Sequence, residues 1–259
     1  MVMMDRDGFW TERQSCHYYG CRSGFGQAAT RLLLKSNANL VLADLNTQGL
    51  AAMAREASGA GANIVECPFD VSSPDETKAV TAQAVEKFGR IDGLLHFAGV
   101  IDIHSIEETT VAHWNRVINI NLLGTFLMVQ AVSAVMKKQR QGRIVLTASD
   151  AARKGASISG PAYAASKGGV IALTRDFAMK LGPSGITVNA ICPGIVRTPM
   201  VSEDARIPAA ALDEVIGRTP LGRLGEPEDM AGTAIMLLTD ATKFVNGEIV
   251  EVNGGFFFD

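Results

Sequence analysis

Tyr163 and Lys167 stand four residues apart in Tyr163-Ala-Ala-Ser-Lys167, and Ser149 closes the apolar run Arg143-Ile-Val-Leu-Thr-Ala-Ser149. On a helix, residues four apart share a face, so the Lys167 ammonium can sit beside the Tyr163 hydroxyl and favour its ionised form. A free tyrosine has a pKa of about 10 and is nearly all neutral at pH 7, so proton transfer by a phenol calls for a nearby positive charge. A serine at the same spot can hold a carbonyl or hydroxyl oxygen. Standing alone, the pair reads equally well as a tyrosine and a lysine on a solvated helix face.

The elements around these residues supply the context. Short β-branched or Leu-rich runs begin at Asn39, Asn63, Gly93, Arg143, Gly185 and Glu248. They alternate with helical patterns at about 26–36, 47–57, 74–88, 111–138, 161–181 and 227–238. Regular alternation of this kind predicts an α/β chain, a single doubly wound Rossmann-type domain over 1–259 whose parallel sheet of about seven strands carries helices on both faces. Ligands of such sheets bind at the carboxyl ends of the strands. There the chain carries Asp44, Asp70, Ala98-Gly99, Ser149 and Pro193-Gly194. The stretch 198–222 lacks strong periodicity and contains Pro199, Pro208 and Pro220, so it reads as a mobile flap with short helices over the site.

A nucleotide site is expected at Gly20-Cys-Arg-Ser-Gly24-Phe25-Gly26. Glycines let the backbone approach a pyrophosphate, and the helix that follows offers its N-terminal amides. Asp44, at the end of the next strand, can accept the ribose hydroxyls and repel a 2′-phosphate, which favours NAD(H) over NADP(H). A turn or cap aspartate before Asn46 is the structural alternative, and Arg22 pulls toward the 2′-phosphate.

The first strand departs from this plan. A strand covered on both faces should read as Val, Ile or Leu, yet Gln14-Ser-Cys-His-Tyr-Tyr19 precedes the glycine loop. These residues can be encoded CAA AGT TGC CAT TAT TAC, and with GGG for Gly20 a reading one base later gives Lys-Val-Ala-Ile-Ile-Thr-Gly. The expectation is a local frame shift within 1–22, restored near Ser23.

Composition narrows the partners. The 259 residues are 47% apolar and 20% charged with a net charge of −3, and basic residues are scattered, so neither nucleic acid nor an anionic membrane is expected. Cys16, Cys21, Cys67 and Cys192 have neither disulfide-framework nor metal-ligand spacing, and the histidines lie far apart. The reading is a reduced, metal-free, cytoplasmic protein with small-molecule partners. No uncharged apolar stretch approaches a span of about 18 residues.

With these residues assembled, the chain resembles the short-chain dehydrogenase/reductase family from about Gly20 to Gly255. The motifs are Gly20-x3-Gly24-x-Gly26, Asp70-Val71, Ala98-Gly99, Trp114-x2-Val-Ile-x-Ile-Asn121-Leu-x-Gly124, Ser149, Tyr163-x3-Lys167, Pro193-Gly194-Ile-Val-Arg-Thr198, Arg223-x-Gly225-Glu-Pro227-Glu-Asp and Val252-Asn-Gly-Gly255. The resemblance implies Tyr163 as proton donor and acceptor, Lys167 lowering its pKa and binding the nicotinamide ribose, and Ser149 orienting the substrate oxygen. Asn121 is implied to hold a water that links Lys167 to a proton relay. Adenine contact at Asp70 and Val71, backbone contact near Gly99, and carboxamide contacts from Ile195 and Thr198 are likewise implied. So is a homotetramer, with the helices at 111–138 and 161–181 in one interface.

Three departures qualify the match. His96-Phe97-Ala98-Gly99 replaces the family's usual Asn-Asn-Ala-Gly, with His96 read as buried structure. Ser149 lies one position earlier than is commonest and Asp150 takes the usual spacing, but an ionised carboxylate would repel a developing alkoxide, so Ser149 keeps the role. The glycine loop is the third. The function expected is hydride transfer between a nicotinamide and a secondary alcohol or ketone. The alternatives are an NADPH-dependent 3-oxoacyl thioester reductase and a nucleotide-binding module without turnover. Arg153 is a candidate for substrate carboxylate recognition beside Ser157 and Ile158, with a solvated loop arginine as the plainer reading.

Overall fold

The computed structural model describes residues 15–19, 24–36, 38–155, 158–204 and 207–258. Its centre is one seven-stranded sheet in the order β3-β2-β1-β4-β5-β6-β7. The strands are β1 (Ser15–Tyr19), β2 (Asn39–Asp44), β3 (Ile64–Pro68), β4 (Gly93–His96), β5 (Gly142–Thr147), β6 (Ile186–Pro193) and β7 (Ile249–Val252). All pair in parallel, and β1 lies between β2 and β4, with Tyr18 opposite Leu42 on one side and Leu95 on the other. The segment Ser15–Tyr19 therefore occupies the first-strand position. Gly20 and Arg22 lie outside the described residues.

On one face α1 (Phe25–Leu34), α2 (Thr47–Gly59) and α9 (Pro227–Met236) bury Leu33, Leu50, Met53 and Ile235 against Leu40, Leu42 and Leu95. On the other, α3 (Pro74–Phe88), α5 (Gly124–Gln139) and α7 (Pro161–Leu181) bury Val80, Met128, Val132, Met136 and Val170 against Val41, Leu94, Ile144 and Val188. Strands covered on both faces favour apolar residues; β6 is buried along its whole length, and its buried Asn189 is met by hydrogen bonds with Val245 and Glu248. Helix starts follow local chemistry. Ser73 accepts a hydrogen bond from the Glu76 amide with Pro74 at the first helical position, and Asn46 accepts from the amides of Gln48 and Gly49.

Two expectations are corrected. The helix expected over 111–138 is α4 (Val111–Ile118) and α5 joined by a π turn at Asn119–Leu123. The run Val111–Gln139 is also long and apolar enough to cross a membrane by length and composition, contrary to the reading that no stretch approaches that size. Half of its most apolar window is buried within the fold, as expected of a core helix. The stretch 198–222 holds a π turn (Met200–Asp204) and a three-turn helix, α8 (Ala209–Arg218).

Candidate active site

The carboxyl ends of the strands open into a cavity of about 1190 Å³. Asp44, Asp70 and Val71 line one end, Gly24, Phe25, Ala98 and Gly99 the middle, and Ser149, Tyr163, Lys167, Pro193, Gly194, Ile195 and Thr198 the other. Of the described residues expected at the site, Gly26, Asn121 and Arg153 do not line this space and the others do. Gly26 is buried in the first turn of α1, where its carbonyl accepts the Thr30 hydroxyl. Asn121 is buried behind the wall.

Lys167 donates from Nζ to the Thr147 carbonyl at 2.7 Å and is 5% exposed. Burial lowers its pKa to about 8, with the Cys192 side chain acting in the opposite direction. Its Nζ lies 5.8 Å from the centre of the Tyr163 ring. Tyr163 is partly buried, with its open side lining the cavity. Burial pushes the phenol up to about 12 against a hydrogen bond with Ser149 that lowers it, and the Asp150 carboxylate adds to the rise. The expected lowering of Tyr163 by Lys167 is therefore not found here. The ammonium is turned to a carbonyl and desolvation outweighs the rest, so the phenol is held in its proton-donating form.

Ser149 and Asp150 both line the cavity. Ser149 Oγ accepts the Ala151 amide at 3.3 Å and donates to Asp150 Oδ1 at 3.4 Å, while Asp150 Oδ2 pairs with Lys154 Nζ at 2.6 Å. The longer connection is taken up by a single helical turn, α6 (Ala151–Lys154), and by Gly155 at φ +73°.

Asn121 is committed as a brace. Oδ1 accepts the Val100 amide at 2.8 Å, and Nδ2 donates to the Val100 carbonyl at 2.9 Å and to Ser166 Oγ at 3.1 Å. Ser166 in turn donates to the Tyr163 carbonyl at 2.8 Å. The π turn is what lets a residue inside a long helix face two other elements. A β-carbon at Gly99 would stand 3.3 Å from Asn121 Oδ1 and 3.6 Å from Lys167 Nζ, so glycine there lets the backbone lie close to both side chains.

The family described as Enoyl-(Acyl carrier protein) reductase matches residues 20–257. The 3-oxoacyl-[acyl-carrier-protein] reductase FabG of Thermotoga maritima is 34% identical over 244 residues, 94% of this chain and 98% of that protein. Levodione reductase of Leifsonia aquatica is 35% identical, covering 91% of each chain. Among solved structures, a short-chain dehydrogenase/reductase of the glucose/ribitol dehydrogenase type from Brucella melitensis superposes with a TM-score of 0.89 at 36% identity, over 97% of this chain and all of the other. The chain belongs to the short-chain dehydrogenase/reductase family. As a member it is an oxidoreductase of alcohols or ketones that works with a nicotinamide cofactor.

The nucleotide end of this dehydrogenase fits such a cofactor. Gly24 adopts φ +58°, and a β-carbon there would lie 3.0 Å from Thr198 Cγ2, so glycine is what lets the loop close on the far wall. Asp44 Oδ1 accepts the Asn46 amide at 2.8 Å, which is its turn role, and the residue also borders the cavity. Asp70 likewise accepts the Ser72 amide and hydroxyl, and Ser73 rather than Asp70 caps α3. Phe97, at the departure from the family's amide pair, meets Phe25 edge to face at 5.9 Å. His96 is buried and neutral, held down to about 3 by burial and then by the Lys167 charge.

Arg153 fits neither of its expected roles, because its side chain is 9% exposed and ion-paired with Glu251 at 3.3 Å. Ser157 lies outside the described residues. The sequence alone did not single out Ser166 or the Thr147 carbonyl, and it suggested an interface rather than the cavity for Phe256. Ser166 had a signal, since position i+3 from Tyr163 faces the same way. Phe256 lines the cavity, with Lys154 Nζ 3.7 Å from its ring centre and Arg218 5.1 Å away.

Proposed function

We propose that the chain is an NAD(H)-preferring dehydrogenase of secondary alcohols and the corresponding ketones, with Tyr163 as the proton-transferring group. The observation that carries this is the gathering of Ser149, Tyr163 and Lys167 at one end of a cavity whose other end holds Asp44. Asp44 would accept the adenosine ribose hydroxyls, Asp70 and Val71 would border the adenine, and Gly20, Gly24, Phe25, Gly26 and the α1 amides would take the pyrophosphate. Ala98, Gly99, Tyr163 and Lys167 would border the nicotinamide riboside, with Pro193, Gly194, Ile195 and Thr198 beside the carboxamide. Bound there, the nicotinamide supplies hydride acceptance or donation.

In reduction, Ser149 holds the carbonyl oxygen and the neutral Tyr163 gives it a proton as the alkoxide develops. In oxidation, Tyr163 must first lose its proton, which its burial opposes. Positive charge brought close to the phenol, by Lys167 turning from Thr147 and by an oxidised nicotinamide in the same cavity, lowers that cost. The relay water would lie near Asn121 and Lys167, which Gly99 brings close to the cavity.

A second reading, a reductase of 3-oxoacyl thioesters, is favoured by the Thermotoga maritima relative. Asp44 weighs against the NADPH it would use. We further propose a single domain, a flap at 198–222, a local frame shift within 1–22, and a cytoplasmic homotetramer. Trp114, Leu123 and Phe126, all exposed on α4 and α5 or the turn between them, support the assembly.

The test is Tyr163→Phe, assayed with NAD⁺ and a panel of secondary alcohols and sugar acids, beside NADH and NADPH binding. Turnover should fall by about 10³-fold or more with NADH binding retained. Near wild-type turnover refutes the assignment, and tighter binding of NADPH than NADH favours the thioester reductase.

A further inference from the structure

Away from Ser149, Tyr163 and Lys167, the loop after β4 and the first turn of α4 bring Asp102, His104 and His113 together, with one ligand atom of each within 4.8 Å of the others. In sequence the two histidines are separated and show no metal-ligand spacing; the fold brings them together by turning the loop back onto α4.

The Asp102 side chain is 5% exposed. Its Oδ1 lies 2.6 Å from His104 Nδ1, and its Oδ2 is buried without a hydrogen-bond partner among the described residues. A buried carboxylate with an oxygen left over is costly unless a cation balances it. The His104 and His113 rings stack beside it, centres 3.9 Å apart and planes 16° apart. These residues belong to none of the family motifs and do not line the cavity.

We propose that Asp102, His104 and His113 form a binding site for a divalent transition-metal ion of the zinc type. Two imidazoles and one carboxylate are a donor set that zinc takes at about 2.0–2.2 Å, with water completing the shell. Imidazole nitrogen favours zinc, copper or nickel over magnesium or calcium. Nearly parallel rings cannot aim their in-plane lone pairs at one point, so one ring tilts on binding. The His104 side chain, 40% exposed, has the room.

The position gives the site a path to the catalytic helix. The Asp102 carbonyl accepts the Gly160 amide at 2.7 Å, and Gly160 is the N-cap of α7, which carries Tyr163 and Lys167. A β-carbon at Gly160 would stand 2.7 Å from Asp102 Oδ2, so the carboxylate abuts the start of that helix. A metal ion at Asp102 therefore fixes the loop against α7, and occupancy should raise the melting temperature.

Chelator-stripped protein is dialysed against zinc sulfate and the bound zinc counted per protomer. Wild type should retain one equivalent more than His104→Ala/His113→Gln and should gain melting temperature that the variant does not. Glutamine at 113 can keep the capping interaction that His113 makes at the start of α4. Where the double variant fails to fold, His104→Gln at the exposed ring carries the same test. Asp102→Asn should weaken zinc binding by about 10-fold or more. Equal zinc content in wild type and the histidine variants overturns the proposal. So does an equivalent lost on Cys16→Ser or His17→Ala instead.

Discussion

Replacing Lys167 by methionine gives a stability change that depends on pH in a way the buried ammonium dictates. Lowering its pKa from 10.5 to about 8 corresponds to about 3 kcal/mol held against the charged form. Between pH 8 and 10.5 the unfolded chain keeps a proton that the native state has released, so stability rises with pH across that window. The penalty is fully present below pH 8. From pH 7.5 to 9.5 the gain from this one group is about 2 kcal/mol. Tyr163 acts oppositely, because its native pKa is raised to about 12 and the unfolded phenol loses its proton from about pH 10, so the comparison stops at 9.5. Methionine also leaves the Thr147 carbonyl without its partner, at a cost of about 1–3 kcal/mol that does not vary with pH and so cancels in the slope. Urea denaturation of cofactor-free wild type and Lys167→Met at pH 7.5 and 9.5 measures the difference. Parallel pH dependences, agreeing within about 0.5 kcal/mol, refute a buried, destabilising ammonium.

Ser149→Ala should lower kcat by about 10²- to 10³-fold, whereas Asp150→Ala should stay within about tenfold of wild type and lose melting temperature instead, since Asp150 is paired with Lys154 rather than with substrate. Gly99→Ala sets a methyl group against Asn121 and Lys167. Steady-state kinetics should show kcat reduced by about 10- to 100-fold with little change in cofactor KM. Asp44→Asn removes a carboxylate facing the ribose site, and the NADPH-to-NADH ratio of kcat/KM should rise by about tenfold or more; an unchanged ratio removes Asp44 from cofactor selection.

Much of this was legible in the chain because it rests on periodicity and on residue types at strand ends. The alternation of elements predicts the parallel sheet, and Asp44, Asp70, Gly99 and Ser149 line one cavity because the ends of parallel strands share one edge of a sheet. What was hidden depends on three-dimensional neighbours. Spacing alone brings Lys167 beside Tyr163, but whether the ammonium faces the phenol or the Thr147 carbonyl is decided by what else is buried there. Arg153 looks like a loop residue until Glu251, on the last strand, is seen beside it. The meeting of His104 with His113 needs the path of a loop without periodicity.

The π turn at Asn119–Leu123 ties catalysis to evolution by insertion and deletion. A π turn holds one more residue than an α turn, and one residue is about 100° of helix rotation. An extra residue taken up by widening one turn does not pass that rotation on, so the faces of α4 and α5 stay in register across it. Deleting one residue there would restore an α turn and leave Met128, Val132 and Met136 facing the core, but would remove the wide turn from which Asn121 reaches Val100 and Ser166. A deletion in the α turns on either side would instead rotate α5 against the core. A single-residue gap among relatives should therefore be tolerated within this turn and not beside it.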